Sequence, residues 1–163
     1  MKIDRKSGFL IALCIFFLFS LLLVVKVNYE KHERKILYES IIQIIKKYEN
    51  GESKCINLGN VNEISWEKLY IFGSYSYPED IDTKLGTFWL GSRFTQIKYS
   101  DAVILLVFVK DNHVSQYVEF YKGDGDFSGN KTGLIYNKNE AKFVENEKGE
   151  ITPISCNSNN CCN

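Results

Sequence analysis

The sequence predicts an α+β protein: an N-terminal transmembrane helix, an amphipathic helix, then a largely antiparallel β-meander with one short helix. Three observations carry this. Residues 8–25, GFLIALCIFFLFSLLLVV, form an uncharged apolar run of 18 residues. Leu37, Ile41, Ile44, Ile45 and Tyr48 recur at helical spacing. Residues 102–109, AVILLVFV, are followed by a polar turn and an alternating return segment.

The apolar run comes first. At about 1.5 Å per residue it spans roughly 27 Å, close to the hydrocarbon thickness of a bilayer. Its polar members are Gly8, Cys14 and Ser20, so no face is hydrophilic in the way a surface helix requires. Lys2, Arg5 and Lys6 precede it and Lys26 follows, placed to snorkel toward headgroups. The run exceeds a signal-peptide core, and Lys26-Val-Asn-Tyr-Glu offers no small-x-small cleavage site, so an uncleaved anchor is expected. Cys14 follows the bulky Leu13, which argues against a lipoprotein signal. Basic residues flank both ends about equally, and cysteine usage therefore decides the expected orientation: the carboxy-terminal domain outside the cytoplasm.

The resulting organisation is a basic tail (1–7), an anchor (8–25), a stalk and amphipathic helix (26–51), a globular domain (52–154) and a Cys-rich polar tail (155–163). The first turns of the second helix are wholly polar, and its isoleucine part is expected to pack on the following sheet. Gly51 suits a left-handed helix stop. Residues 66–73, WEKLYIFG, have buried-strand composition. Ser76-Tyr-Pro-Glu79 matches a capping box opening a short helix, with Ile81 and Leu85 on one face and Gly86 as the stop. Residues 87–100 read as strand or covering loop, and 123–133 as a turn-rich connector. In the return strand, Val118 and Phe120 share one face, Tyr117, Glu119 and Tyr121 the other. Residues 141–146 and 150–154 read as a second hairpin around Lys148-Gly149.

Charge excludes one class of partner. The chain carries 20 basic and 20 acidic residues; three basic and one acidic precede Lys26, leaving 17 against 19 beyond the anchor. A nucleic-acid binder needs a basic excess, so none is expected. The bilayer, met through residues 8–25, is the expected first partner, with an envelope protein or wall component as the second.

The segments WEKLYIFGSY (66–75), ILLVFVKD (104–111), YVEF (117–120) and GDFSG (125–129) together resemble a group of small uncharacterised proteins, membrane-anchored or exported, from low-GC Gram-positive bacteria. The resemblance covers residues 66–144. It implies an exported location and supplies no activity. Ser74 stands where proline is common in that group, so the strand exit differs.

Candidate sites are sparse. Asp124, Asp126, Ser128 and Asn130 with Gly129 resemble a calcium loop, but position twelve is Ile135 and a turn-rich connector explains the same residues. His32 and His113 are the only histidines. A Cys55–His113 dyad lacks an activating environment, because Cys55 follows a helix end. Cys55, Cys156, Cys161 and Cys162 lack paired zinc spacing; an even number outside the cytosol suggests disulfides instead. Asn130-Lys-Thr132 is a formal glycosylation sequon. No catalytic constellation and no cofactor motif occur. The expected function is a noncatalytic, membrane-anchored binding module of the cell envelope, contacting its ligand through an aromatic-rich sheet. The alternative is an envelope hydrolase using carboxylates such as Asp101, Asp111 or Glu119.

Overall fold

Between Gly8 and Glu49 there is no proline and no further glycine, so nothing in the sequence breaks a helix. In the computed structural model, which describes residues 5–129 and 133–154, the anchor and the amphipathic stretch are accordingly one helix, α1 (Arg5–Glu49). The chain divides into two units between Lys35 and Ile36.

In the first unit, α1 is long and apolar enough to cross a membrane, and its most apolar window is not buried at all. Phe16, Phe17, Phe19 and Leu22 expose 61–67% of their surface. Ser20 Oγ donates to Phe17 O at 2.8 Å, so the one hydroxyl of this stretch is satisfied within the helix.

The second unit begins inside α1. Leu37, Ile41 and Ile45 lie one turn apart and are 0–4% exposed in the core. The globular unit therefore starts at Ile36, sixteen residues before the expected boundary at Glu52. The helix ends in a Schellman arrangement: Glu52 N–H bonds Lys47 O at 2.8 Å, Gly51 N–H bonds Tyr48 O at 2.9 Å, and Gly51 has φ 73°.

Two antiparallel sheets follow. The larger has strand order β4-β3-β2-β5, with β2 (Lys68–Phe72), β3 (Val103–Lys110), β4 (His113–Tyr121) and β5 (Leu134–Asn137). β2, β3 and β4 form the meander, and β5 returns beside β2. The smaller sheet is β1-β6-β7, with β1 (Ile56–Asn57), β6 (Lys142–Glu145) and β7 (Ile151–Pro153). The second hairpin thus forms as expected, and β1 and β5 are further strands, of two and four residues, beyond those the sequence pattern predicts. The β3–β4 turn is a two-residue type with both central residues left-handed, Asp111 at φ 49° and Asn112 at φ 59°.

The apolar character of β3 follows from burial on both faces. Ile104, Leu106 and Phe108 join Leu69, Ile71, Val118 and Phe120 beneath α1. Leu105, Val107 and Val109 join Tyr70 and Phe72 on the opposite face. Phe120, Phe127, Phe143 and Tyr136 chain edge-to-face at centroid separations of 5.9, 5.5 and 5.0 Å, linking the larger sheet to the smaller. Phe127 sits in the connector 123–133 and is 1% exposed, so that loop contributes to the core.

α2 (Pro78–Leu85) opens without the expected capping box. Ser76 Oγ donates to Gly73 O at 2.7 Å instead, and Tyr77 occupies the cap position with no side-chain bond. Pro78 at the first helical position supplies the pre-set φ that starts the helix. Gly86 closes it at φ 72°. Ser74 Oγ lies 2.9 Å from both Asp101 O and Val103 O; this hydroxyl, absent from proline, ties the exit of β2 to the start of β3.

Candidate binding surface

Residues 75–99 cover the face of the larger sheet opposite α1. Few of their side chains point inward: Ile81 and Ile97 are buried, and Leu85 and Trp89 pack against them. Trp89 meets Tyr117 at 5.0 Å and 71°. A polar frame holds the segment in place. Asp82 accepts from Trp89 N–H at 3.0 Å and pairs with Arg93 at 2.6 Å. Ser92 Oγ donates to Trp89 O, and Thr95 Oγ1 to Ser92 O, both at 2.8 Å.

The remaining aromatics face water. Phe88, Phe94 and Tyr99 are 69%, 74% and 77% exposed, and Tyr75, Tyr77 and Leu90 are also exposed. Cations accompany them: the Arg93 guanidinium carbon lies 4.4 Å from the Phe88 ring centre, and Lys98 Nζ lies 5.4 and 5.2 Å from the Tyr77 and Tyr99 rings. Tyr75 holds φ 64°, an unfavourable conformation for an aromatic residue, and its N–H bonds Ile97 O at 2.8 Å. Exposed aromatic rings held by a fixed backbone offer contact area at little further loss of freedom. Many of the exposed aromatics of this unit therefore lie on residues 75–99. Tyr70, Phe72, Phe108 and Phe120 of the sheet itself are buried. A density of aromatics without helical or strand period, Phe88-Trp89-Leu90 and then Phe94 and Tyr99, was the available sequence signal.

The carboxylates considered for hydrolysis lie apart. Asp101 precedes β3 and Asp111 follows it, more than about 25 Å along the strand. Glu119 accepts a hydrogen bond from Gln96 N–H. Within the calcium-like loop, Asp126 Oδ1 accepts from Ser128 N–H at 2.8 Å, a turn bond, while Asp124 accepts from the Tyr38 hydroxyl. Asn130, with the rest of the sequon, lies outside the described residues. Among the described residues no three His, Cys, Asp or Glu side chains gather as metal ligands. His32 is exposed, and His113 Nδ1 lies 2.7 Å from Asp111 O. Cys55 is disulfide-bonded and 1% exposed, which removes it from the dyad and the zinc set alike. Cys14 is a free, exposed thiol. Cys156, Cys161 and Cys162 lie outside the described residues.

Two grooves flank the end of α1. One, of about 390 Å³, runs between α1 and residues 53–63. The other, of about 300 Å³, lies between α1 and Gly123-Asp124. Gly125 permits that close approach, since a Cβ there would come 2.8 Å from Ile45 Cδ1. The Tyr38 phenol beside Asp124 is pushed up to about 12, first by burial and then by the carboxylate that accepts its proton. The folded state holds this proton more tightly than the unfolded chain, whose phenol has the ordinary value of 10.0. The contribution is complete below that ordinary value and disappears as pH climbs through about 12. Tyr38→Phe removes it. Urea midpoints of wild type and variant measured across that window are expected to converge as pH rises; a constant gap would refute the coupling.

Compared with known proteins, the chain matches no family model, no curated protein and no solved structure.

Proposed function

We propose that this chain is a single-pass membrane protein whose carboxy-terminal domain lies outside the cytoplasm and acts as a noncatalytic binding module of the cell envelope. The observation that carries the binding role is the set of outward aromatic side chains on residues 75–99, accompanied by Lys98 beside Tyr77 and Tyr99 and by Arg93, which lies over Phe88 and is held by Asp82. Such rings stack equally well on peptide side chains and on sugar faces, which suits a neighbouring envelope protein or a wall component. The apolar, unburied first part of α1 supports anchoring. The Cys55 disulfide supports the outside location, since such bonds persist in oxidising compartments. The resemblance of residues 66–144 to membrane-anchored or exported proteins points the same way.

A photo-crosslinking residue at Leu90 tests the reading in intact cells. The full chain is expected to form discrete adducts that fall at least tenfold in a Phe88→Ala/Phe94→Ala/Tyr99→Ala variant. Its melting temperature should move by less than about 4 °C, because exposed side chains contribute little to stability. Adducts that persist undiminished in the triple variant would sink the assignment of this surface. Membrane-impermeant maleimide after mild reduction should label the domain without lysis; labelling that requires lysis would place it inside.

A further inference from the structure

We propose that the aromatic surface on residues 75–99 is where two copies of this chain meet, patch against patch, in the same membrane. The inference names the partner of the surface proposed above and rests on that reading. Tyr75, Tyr77, Phe88, Leu90, Phe94 and Tyr99 are all more than half exposed. Cations join them into one surface. Lys98 Nζ serves both the Tyr77 and the Tyr99 ring, while Arg93 lies over Phe88 and precedes Phe94. Asp82 of α2 holds Arg93, and Tyr77 occupies the cap position of the same helix.

The area suits a second copy. An aromatic side chain offers about 150–250 Å² of contact surface, so the exposed fractions of these five rings leave roughly 500–800 Å² open to water. The largest apolar patch of a monomer is ordinarily about 300–600 Å². A stable interface of standard size takes about 800 Å² from each partner. With Leu90 and the Arg93 stem added, the surface approaches that size.

Charge and polarity point the same way. Residues 75–99 carry Glu79, Asp80 and Asp82 against Lys84, Arg93 and Lys98, three of each sign. A surface of one sign repels its own copy, whereas a balanced one can pair with itself. The hydroxyls favour protein over sugar as the partner. Those of Ser76, Thr83, Ser92 and Thr95 all donate to nearby backbone carbonyls, at 2.7–2.8 Å. A sugar site needs such groups aimed outward beside the rings. The anchor supplies the encounter. Ten residues, 26–35, separate the apolar run from the globular unit, at most about 36 Å of chain. Copies inserted the same way round in one bilayer therefore hold their domains in one layer, at raised local concentration. A two-fold axis along the membrane normal then lets the same patch of both copies meet.

The test uses the full chain purified in detergent and, separately, two differently tagged copies expressed in one cell. Light scattering corrected for bound detergent should give the mass of two chains for wild type. It should give the mass of one for Phe88→Ala/Phe94→Ala/Tyr99→Ala. A photo-crosslinking residue at Leu90 should yield adducts of twice the chain mass that carry both tags, with both crosslinked peptides drawn from residues 75–99. Charge reversal adds a readout that loss of folding cannot imitate. Glu79→Lys/Asp80→Lys and Lys84→Glu/Lys98→Glu should each weaken self-association at least tenfold, and mixing the two should restore it. A mixture that stays monomeric would overturn the pairing. A monomeric wild type whose Leu90 adducts contain a different protein would overturn the second copy and leave the binding surface standing. A triple variant that stays dimeric would place the contact elsewhere on the chain and overturn the inference.

Discussion

A fragment beginning at Glu52 should be unfolded in water, whereas one beginning at Ile36 should fold. The end of α1 supplies Leu37, Ile41 and Ile45 to the core at 0–4% exposure, with Tyr38, Ile42, Ile44 and Tyr48 packed around them. Fully burying a side chain of this size stabilises by about 1.5–3 kcal/mol, so the three alone supply roughly 4.5–9 kcal/mol. A domain of this size has about 5–15 kcal/mol in total. Removing the helix also uncovers the face of β2, β3 and β4 formed by Leu69, Ile71, Leu106, Phe108 and Val118. Amide NMR spectra of the two fragments decide the matter: dispersed resonances from the shorter one would mean that α1 is a tether and not part of the core. Ile41→Asp in the longer fragment should act like truncation, because a carboxylate would be buried without a partner.

The second large effect is expected at Cys55. Cys55 is disulfide-bonded, and a bridge to any of the carboxy-terminal cysteines expected from the sequence would close a loop of about 100 residues, which in the chain-entropy treatment contributes up to about 4.7 kcal/mol. Cys55→Ala should lower the unfolding free energy of the domain by about 3–5 kcal/mol. Wild type treated with reductant should fall by the same amount, and the variant should then be insensitive to reductant. Denaturant titrations of both proteins with and without reductant check this. A variant as stable as oxidised wild type would show that the bridge does not constrain the unfolded chain. The effect is large because the domain has no other described disulfide and its smaller sheet consists of strands of two to four residues.

Periodicity and turn chemistry in the sequence determined much of this protein by themselves. An uncharged run of 18 residues with no proline forms a helix long and apolar enough to cross a membrane, whatever follows it. The apolar β3 and the alternating β4 are joined by Asp111-Asn112, residues that accept positive φ, so their pairing is local. Gly51 and Gly86 mark helix ends because only a residue without a Cβ takes that conformation freely. Tertiary structure decided the rest. β1 and β5, of two and four residues, owe their extended state to β6 and β2 and carry too little pattern of their own to reveal it. Ser76 could have capped α2, but Gly73 O takes its hydroxyl, a choice made by the fold of residues 73–78 and invisible in a motif. The candidate surface is of the same kind. Residues 75–99 have no period, so which aromatics turn inward depended on the sheet already covering Ile81, Trp89 and Ile97, and the remainder were left to water.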